Sequence, residues 1–583
     1  MRKFACDFET TTDPDDCRVW AYALCEIGNP DNFIYGNSIY DLVEWCYNQK
    51  DNIRLYHHNL KFDGEFWVNY LLEAGFTYVE DKKDAESLSF STLITDIGQW
   101  YSIEIWFEVE GKKRKKLTIY DSLKLLNFSV EEIAKAFDLP IRKLELDYTT
   151  KREEDHELTQ HEIDYIRNDV EIMARALDLF FKENKPKMTI ASSAMASYKE
   201  TNPNFRNDFP ELPIEVDADI RMSYKGGFTY LNPIYKNKLY ERRGVTLDFN
   251  SLYPSILYNA ELPFGIPEPF DGKYVYDPIY PLYTQMITCR FKIKPGKIPS
   301  IQIKHSFGFM PTEYLESSDG EIVTLVLTKP DLELFLEQYD TEDLEYISGW
   351  KFKSAQGLFK TYIDYWTNKK IQAKKDGSKP LYLTAKLYLN SLYGKFGSNP
   401  RGCKQKPILT DEGVEYIFLP EEIRKPGYVA LAAFTTAYGR KMTIEKSQAI
   451  REWSLKKKGF DAYIYSDTDS IHAFLDDEDL EELKDLIDID DYRLGAIKKE
   501  SVFIAGKWLR QKCYVEQLDD GTMNVTVAGL PKKLAHVVNF DNFKPGFTTA
   551  DLTDEEIGPA GRKLTYKHVK GGVILVDTDF TII

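Results

Sequence analysis

Two aspartates, Asp467 and Asp469, lie two residues apart in the segment AYIYSDTDSIHAFL, which is otherwise mostly aromatic or apolar. In a strand, residues i and i+2 point to the same face, so two such carboxylates would repel each other. A cation between them, or surrounding water, would relieve the repulsion. The alternative interpretation is a solvated hairpin turn, because Asp and Ser are common turn residues.

Two other segments carry residues of matching chemistry. GVTLDFNSLYPSIL places Asp248 at the end of a strand-like run, and LTAKLYLNSLYGKFG places Lys386, Asn390 and Tyr393 on one helix face. Taken alone, that face could be a buried stripe from which Lys386 extends to solvent. Together with the paired aspartates, these residues predict a site for divalent ions, with Lys386 as a cation on the neighbouring helix face.

A separate set of acids lies near the N-terminus. FACDFETTT places Asp7 and Glu9 on one strand face, HHNLKFDGEF adds Asp63, and YIRNDV places Tyr165 and Asp169 one helical turn apart. Each acid alone is more often simply solvated. As a set they suit two divalent ions that promote phosphodiester hydrolysis, with the four carboxylates as ligands and Tyr165 positioning the attacking water.

The elements that must position these residues follow from local patterns. TQHE, residues 159–162, is a capping box that starts an amphipathic helix running to about Lys182. Strand-like, proline-punctuated sequence extends from Leu262 to about Gly349. Helical patterns then return, and a second strand-like excursion at 399–428 precedes another helix. Beyond Phe503 the residues favour strands and turns.

The bulk composition indicates several globular domains within 583 residues. No apolar run approaches the roughly 20 residues of a membrane helix, and the acidic N-terminal segment does not match a secretory signal. Seven scattered cysteines favour a reducing cytoplasm. The net charge of −18 argues against nucleic-acid binding unless a local positive path exists.

In their order, these motifs resemble those of known enzymes. Over about 185 residues, the N-terminal set resembles DnaQ-like proofreading 3′ to 5′ exonucleases, which have a ribonuclease H-like fold. The three later segments resemble motifs A, B and C of family B DNA polymerases: D-x-x-S-L-Y-P, K-x-x-x-N-S-x-Y-G and Y-x-D-T-D-S. The resemblance implies two Mg²⁺ ions per active site, with Mn²⁺ as a substitute.

The resemblance also implies roles for single residues in the polymerase motifs. Asp248 and Asp469 would bridge the metals, Asp467 would assist them, and the Phe249 carbonyl would complete a coordination shell. Tyr253 would be the steric gate against a ribose 2′-hydroxyl.

Tyr393 would be a second wall of the nucleotide pocket, beside Asn390. Lys386 would neutralise the triphosphate of the incoming nucleotide. Lys370 would be a second cation for it, with Lys369 as the alternative to Lys370. Near the exonuclease acids, Lys143 would stabilise the transition state, unless it is simply a surface lysine. Glu145 would be a metal ligand, although the related phage enzymes tend to carry Asp there.

A positive path for DNA is predicted from two motifs. WLRQKCYV alternates Arg510, Lys512 and Tyr514 on one strand face, and its K-x-Y resembles the family's primer-terminus motif. YKGGF resembles the Y-x-G-G motif, whose backbone amides can approach template phosphates. The predicted DNA-binding residues are Asn59, Phe62, Tyr148, Tyr224, Gly226, Gly227, Arg510, Lys512 and Tyr514.

Insertions between motifs A and B and between B and C resemble those of the protein-primed family B polymerases of small tailed bacteriophages. This predicts an α/β and α+β multidomain fold, with a ribonuclease H-like exonuclease domain followed by a right-hand palm, fingers and thumb with two insertions. The expected ranges are 1–185 exonuclease, 186–261 start of the palm, 262–355 first insertion, 356–398 fingers, 399–428 second insertion, 429–526 palm and 527–583 thumb.

The resemblance further implies processive, strand-displacing replication of linear viral DNA in the cytoplasm of an infected bacterium. The partners would be primer-template and single-stranded DNA, deoxynucleoside triphosphates, and a terminal protein that acts as primer in a heterodimer. The enzyme would be monomeric when free. The alternatives are a cellular family B polymerase, for which the chain is short, and a DNA-binding scaffold with inactive sites, against which the intact acids argue.

Overall fold

A computed structural model describes residues 1–144, 146–147, 150–154, 156–183, 185–303, 313–558 and 561–583. Within these ranges, no helix is both long and apolar enough to cross a membrane. The seven cysteines are unpaired thiols, and six of them are buried.

The N-terminal region folds around one mixed sheet. Its elements are β1 (Arg2–Thr10), β2 (Val19–Glu26), β3 (Asn29–Gly36), α1 (Ile39–Asn48), β4 (Ile53–His57), α2 (Leu60–Glu73), β5 (Thr77–Tyr78), β6 (Ser89–Ile94), β7 (Trp100–Glu110), β8 (Lys113–Asp121), α3 (Val130–Ala136) and α4 (Gln160–Glu183). The strand order is β3-β2-β1-β4-β8-β7-β6-β5, and the central strands β1, β4 and β8 are parallel. Their carboxyl ends therefore lie at the same edge of the sheet.

Helix α4 begins as its sequence predicts. The Glu162 carboxylate accepts from the Thr159 backbone N–H at 2.9 Å, and the Glu162 N–H donates to the Thr159 hydroxyl at 3.3 Å. This reciprocal pairing satisfies donors that a helix start leaves without partners. The capping box thereby fixes the register that places Tyr165 and Asp169 on the face packed toward the sheet.

The second large sheet lies in the C-terminal two thirds of the chain. The elements that lead to it are α5 (Ile190–Thr201), α6 (Phe205–Asp208), α7 (Ile214–Arg221), β9 (Thr229–Leu231), β10 (Leu239–Tyr240), β11 (Gly244–Phe249) and α8 (Leu252–Asn259). The later ones are α12 (Val429–Lys458), β22 (Tyr463–Asp467), β23 (Ser470–Ala473), α13 (Asp477–Ile487), β24 (Ile497–Arg510), β25 (Cys513–Leu518) and β26 (Met523–Val527). The strand order is β26-β25-β24-β11-β23-β22-β9, with β10 paired to β24.

The sequence between β11 and β22 adds further layers. It comprises β12 (Leu262–Asp271), β13 (Leu282–Ile293), β14 (Gln302–Ile303), β15 (Glu313–Tyr314), β16 (Val323–Thr328), α9 (Lys329–Gln338), β17 (Tyr339–Ala355), α10 (Lys360–Lys375), α11 (Lys379–Phe396), β18 (Arg401–Gly402), β19 (Gln405–Thr410), β20 (Gly413–Phe418) and β21 (Glu422–Ile423). Four strands form a sheet in the order β12-β17-β13-β16, and β19 pairs with β20 as a hairpin. At the C-terminus, α14 (Asp554–Ile557) precedes the β27 (Lys563–Val569) and β28 (Gly572–Thr578) hairpin.

The expectation of continuous strand-like sequence from Leu262 to Gly349 was wrong at one element. Helix α9 interrupts it, because the Thr328 hydroxyl caps the Asp331 N–H at 3.4 Å and Pro330 lies in the first turn, where its missing N–H costs nothing. Proline there was interpreted as strand punctuation, although it is also common at the start of helices.

Candidate active sites

The N-terminal acids come together at the edge where β1 and β4 end. Asp7 and Glu9 lie on β1, Asp63 in the first turn of α2, and Asp169 on α4. Oxygen atoms of Asp7 and Asp63 and a ring nitrogen of His57 all lie within 4.8 Å of one another. This group is formed by three separate elements, which the parallel pairing of β1 with β4 brings side by side.

Electrostatics at this site favour a cation. Burial, followed by the charges of Asp63, Glu9 and Asp169, raises the pKa of Asp7 well above its ordinary value. Burial and Asp169 raise the pKa of Glu9 to about 8. Clustered carboxylates resist ionisation together, so a bound divalent cation would remove the main cost of their proximity.

Two oxygens of this site lack hydrogen-bond partners among the described residues. They are Asp63 Oδ1 and Asp169 Oδ1, both buried. Because buried acceptors are normally satisfied, Asp169 Oδ1 indicates a place for a bound ion or its water ligands, whereas Asp63 Oδ1 faces His57 Nδ1 at 3.4 Å. The four carboxylates therefore fit a divalent-metal site.

Lys143 and Tyr165 lie against the same cluster. The Lys143 ammonium contacts Asp169 Oδ2 at 2.7 Å and lies 5.7 Å from the centre of the Tyr165 ring. Lys143 is thus an ion-pair partner of Asp169, which a solvated surface lysine would not be. Glu145 and Tyr148, which were also predicted to act here, lie outside the described residues.

Asn59 and Phe62 flank the site from the start of α2. Asn59 precedes the helix in the left-handed conformation, with φ 79°, and its Nδ2 donates to the Tyr566 hydroxyl at 3.0 Å. The Phe62 and Tyr566 rings are 6.2 Å apart. Tyr566 on β27, over 500 residues away along the chain, was not predicted, because no local pattern marks such a contact.

The second set of acids meets at the centre of the other large sheet. Asp248 is near the end of β11, which pairs with β23, and the Phe249 N–H donates to the Asp469 carbonyl at 2.8 Å. Asp467 ends β22, and Thr468, with φ 61°, turns the chain into β23. Asp467 and Asp469 therefore do not lie on one strand as predicted; Asp469 lies in the turn between β22 and β23, which was the alternative.

The two aspartates of this turn have different surroundings. Asp467 Oδ1 accepts from Lys512 Nζ at 2.9 Å and from the Thr229 hydroxyl at 3.2 Å. Burial is the main cause that raises the pKa of Asp469, and burial and Asp469 raise the pKa of Asp248 to about 6. The charge of Asp469 thus acts on Asp248 and that of Asp467 on Asp469, although Lys512 pairs with Asp467 and Lys498 lies 3.4 Å from Asp248.

The strand prediction for Arg510, Lys512 and Tyr514 was wrong. β24 ends at Arg510 and β25 begins at Cys513, and Lys512 takes a left-handed turn conformation with φ 54°. The turn allows the Lys512 ammonium to reach Asp467, whereas a straight strand would carry it past the site. Tyr514 lies in β25 with its ring 5.3 Å from that of Tyr465.

Helices α10 and α11 carry the remaining residues that were predicted for the nucleotide site. Lys386 and Asn390 are exposed on α11, and the Tyr393 ring lies 4.2 Å from the Tyr253 ring. Burial and the charge of Lys386 lower the pKa of Lys370, so these two lysines lie close together. Lys369 instead packs over the rings of Tyr365 and Trp366, 5.2 and 5.6 Å from their centres.

The glycines of YKGGF lie beside motif C. Neither has a positive φ, so the backbone conformation there does not require glycine. Gly227 is needed for close approach: a Cβ there would lie 2.8 Å from Thr468 Oγ1 and 3.1 Å from the Tyr253 hydroxyl. Tyr224 packs against Gly397 at the end of α11.

Three further residues of these sites, in addition to Tyr566, were missed by sequence reasoning. His57 lies 3.4 Å from Asp63, and Lys498 on β24 lies 3.4 Å from Asp248 Oδ1. Arg440 of α12, fully enclosed, donates to the carbonyls of Lys225 and Gly226 at 2.9 and 2.7 Å. The paired histidines in HHNLKFD were a visible signal for the first, whereas the other two depend on contacts between distant segments.

Comparison with known proteins identifies the family. A family model described as DNA polymerase type B, organellar and viral, matches residues 46–161 and 145–483. The DNA polymerase of Bacillus phage M2 is 42% identical over 601 residues, which cover 100% of this chain and 99% of that protein. The DNA polymerase of Bacillus phage phi29 is 41% identical over 603 residues, with the same coverage. The chain belongs to the type B DNA polymerases.

The solved structures agree with this assignment. Phi29 DNA polymerase in an orthorhombic crystal form matches this type B polymerase with a TM-score of 0.90 at 39% identity, covering 100% of both chains. Phi29 DNA polymerase complexed with primer-template DNA and incoming nucleotide substrates matches with a TM-score of 0.89. The predicted family and multidomain fold are confirmed, and the protein is a DNA-directed DNA polymerase of the phi29-like kind.

Proposed function

We propose that this type B polymerase copies DNA at the Asp248–Asp469 site and proofreads its product by 3′ to 5′ hydrolysis at the Asp7–Asp169 site. The observation that carries the proposal is the presence of two carboxylate clusters on two separate sheets, one largely buried and one partly buried, each with an ion-paired lysine. At either cluster, two bound divalent ions, Mg²⁺ or Mn²⁺, would activate the attacking oxygen and stabilise the leaving one.

In synthesis, each side chain has a role that follows from its position in the site. Asp248 and Asp469 hold the cations, and the Phe249 carbonyl and Asp467 assist once Asp467 is released from Lys512. Lys386 and Lys370 neutralise the triphosphate of the incoming deoxynucleotide.

The sugar and the primer are held by neighbouring groups. The Tyr253 and Tyr393 rings, 4.2 Å apart and tilted by 37°, bound the sugar pocket, with Tyr253 as the steric gate. Asn390 lies on the same helix as Tyr393. Lys512 and Tyr514 steady the primer terminus, and Arg510 with Tyr224, Gly226 and Gly227 contacts the DNA backbone.

In proofreading, Asp7, Glu9, Asp63 and Asp169 hold the cations, and Glu145 is a further proposed ligand. Tyr165 orients the attacking water, and Lys143 neutralises charge that develops on the phosphate. Asn59, Phe62 and Tyr148 hold the single-stranded 3′ end.

We further propose protein priming and strand displacement, in line with the phage relatives. The second insertion contacts both the N-terminal region and the C-terminal hairpin. The Tyr416 hydroxyl on β20 donates to Glu65 of α2 at 2.5 Å, and β20 packs on β27. Contacts among these three regions are what a closed passage around DNA would need. The first insertion, residues 262–355, carries the proposed contact with a terminal protein that supplies the priming hydroxyl.

Two variants on one labelled primer-template test the two-site model. Asp7→Ala with Asp63→Ala should abolish degradation without nucleotides and spare extension with them. Asp469→Ala should do the reverse. Loss of both activities in either variant would refute two independent sites.

Strand displacement is tested on a primed circle with the polymerase alone. We expect products much longer than one lap of the template. Products that stop after one lap would exclude unaided displacement for this chain.

A further inference from the structure

His57 lies directly behind the exonuclease acids, at the last position of β4. Its side chain is completely buried, and its Nδ1 lies 3.4 Å from Asp63 Oδ1. Both atoms lack a hydrogen-bond partner among the described residues. Two unsatisfied buried polar atoms that face each other at this distance call for a proton or an ion between them.

The hydrogen bond on the other side of the His57 ring shows whether a proton or an ion lies between these two atoms. The Trp67 indole Nε1 lies 3.1 Å from His57 Nε2, and both side chains are fully buried. An indole N–H can only donate, so Nε2 must accept. The ring proton therefore lies on Nδ1, pointing toward Asp63, and the lone pair that a metal would need at Nδ1 is absent.

Packing around the His57 ring restricts its orientation. Phe8 packs edge-on against it, with ring centres 5.0 Å apart, and also packs against Trp67 at 5.7 Å. The Ser122 hydroxyl donates to the His57 carbonyl at 2.9 Å. These contacts hold the end of β4 in place, so the direction of the Nδ1–H is set before any ligand binds.

We propose that His57 is a positioning residue for Asp63, whose Oδ1 it holds by donation from Nδ1 while the other carboxylate oxygen is left for a divalent cation. The inference rests on the proposed exonuclease function of this cluster. Partners of this kind around metal ligands typically change metal affinity by about 10- to 100-fold when removed. His57 is therefore expected to set the metal affinity of the exonuclease site without binding the metal itself.

Three substitutions separate this role from support of Trp67. His57→Asn keeps an N–H near the position of Nδ1 and loses the acceptor for Trp67. His57→Gln keeps an acceptor near the position of Nε2 and loses the donor to Asp63. His57→Phe retains an aromatic ring and loses both.

Mn²⁺ binding to the DNA-free protein is measured by calorimetry in a chain that also carries Asp248→Ala and Asp469→Ala, so that the polymerase site contributes little. We expect His57→Gln and His57→Phe to weaken binding by about 10- to 100-fold, and His57→Asn to stay within about threefold of His57. Retained binding in His57→Gln with loss in His57→Asn would overturn the proposal in favour of a structural role at Trp67. Equal binding in all three would also overturn it.

Pulsed electron paramagnetic resonance of Mn²⁺ bound to the protein with His57 intact needs no substitution there. We expect no ¹⁴N coupling from a coordinated imidazole; such a coupling would make His57 a ligand and overturn the proposal. Failure of the exonuclease function itself has a different signature. In that case Asp7→Ala with Asp63→Ala would leave Mn²⁺ binding unchanged, and the intact protein would not degrade a primer.

Discussion

Replacing Gly227 by alanine should slow DNA synthesis by moving motif C. The added Cβ would lie 2.8 Å from Thr468 Oγ1 and 3.0 Å from Thr468 Cγ2, where ordinary contacts are 3.4 Å or more. Thr468 cannot simply rotate away. Its N–H donates to the Phe228 carbonyl at 2.6 Å, its carbonyl accepts from Thr443 at 2.8 Å, and its hydroxyl donates to Asp467 at 3.3 Å.

Relief of the contact needs a shift of about 0.6 Å in the turn that joins Asp467 to Asp469. Since misplacement by about 1 Å can cost 10²-fold in rate, we expect Gly227→Ala to lower the rate of nucleotide addition roughly 10-fold, or about 1.4 kcal/mol in the barrier. The Tyr253 hydroxyl, 3.1 Å from the new methyl group, would be pushed as well. Weaker discrimination against ribonucleotides should accompany the loss of rate.

Gly226→Ala is the matched control. Among the described residues, no atom beyond the two adjoining residues lies within 4 Å of a Cβ at Gly226, so we expect any effect of this change to come through bound DNA. Single-turnover extension at saturating DNA and nucleotide measures the rate, and fluorescence anisotropy measures DNA affinity. A normal rate in Gly227→Ala, or an equal loss of rate in both variants, would refute the argument from close approach.

Three further outcomes follow from the ion pairs and burial. Lys143→Ala should lower primer degradation by about 10- to 100-fold without changing extension, because the cation on Asp169 is lost; unchanged degradation would count against its role. Lys370→Ala should raise the KM for nucleotides about 10-fold and Lys369→Ala by less than about twofold, in steady-state extension, because Lys370 interacts with Lys386 whereas Lys369 packs over Tyr365 and Trp366. Equal effects would remove that assignment. Burial raises the pKa of Glu65 from 4.5 to about 8. Between these pH values the folded protein keeps a proton on Glu65 that the unfolded chain has lost. The free energy of unfolding should therefore fall as the pH rises from about 4.5 to about 8. Thermal melts from about pH 5 to about pH 9 should show a flatter fall in Glu65→Gln, and identical slopes would contradict it.

The sequence alone determined which residues are candidates for the proposed chemistry. Each polymerase motif is a local pattern in which spacing defines a shared helix face or a strand end, as in Lys386 and Tyr393 on α11. The capping box at Thr159 likewise depends on neighbours three residues apart. Such features are readable because backbone periodicity alone relates the residues involved.

The sequence was less reliable where one residue type fits two structures. Pro330 was interpreted as strand punctuation and in fact begins α9. Lys512 was expected on a strand face and lies in a turn with positive φ. Local patterns could not decide these cases, because each segment has two locally acceptable conformations. Packing against β13 and β16 selects the helix for α9, and pairing of β24 with β25 selects the turn for Lys512.

Only the tertiary structure decided which distant residues support the chemistry. His57 and Asp63 come beside Asp7 because β4 pairs with β1, and Lys512 reaches Asp467 from a turn 45 residues later. Tyr566 approaches Asn59 from the far end of the chain. No periodicity in the sequence encodes these distances, because they arise from the pairing of whole strands and the packing of separate hairpins, and each of these contacts sets the charge or the position of a residue that its motif had already named.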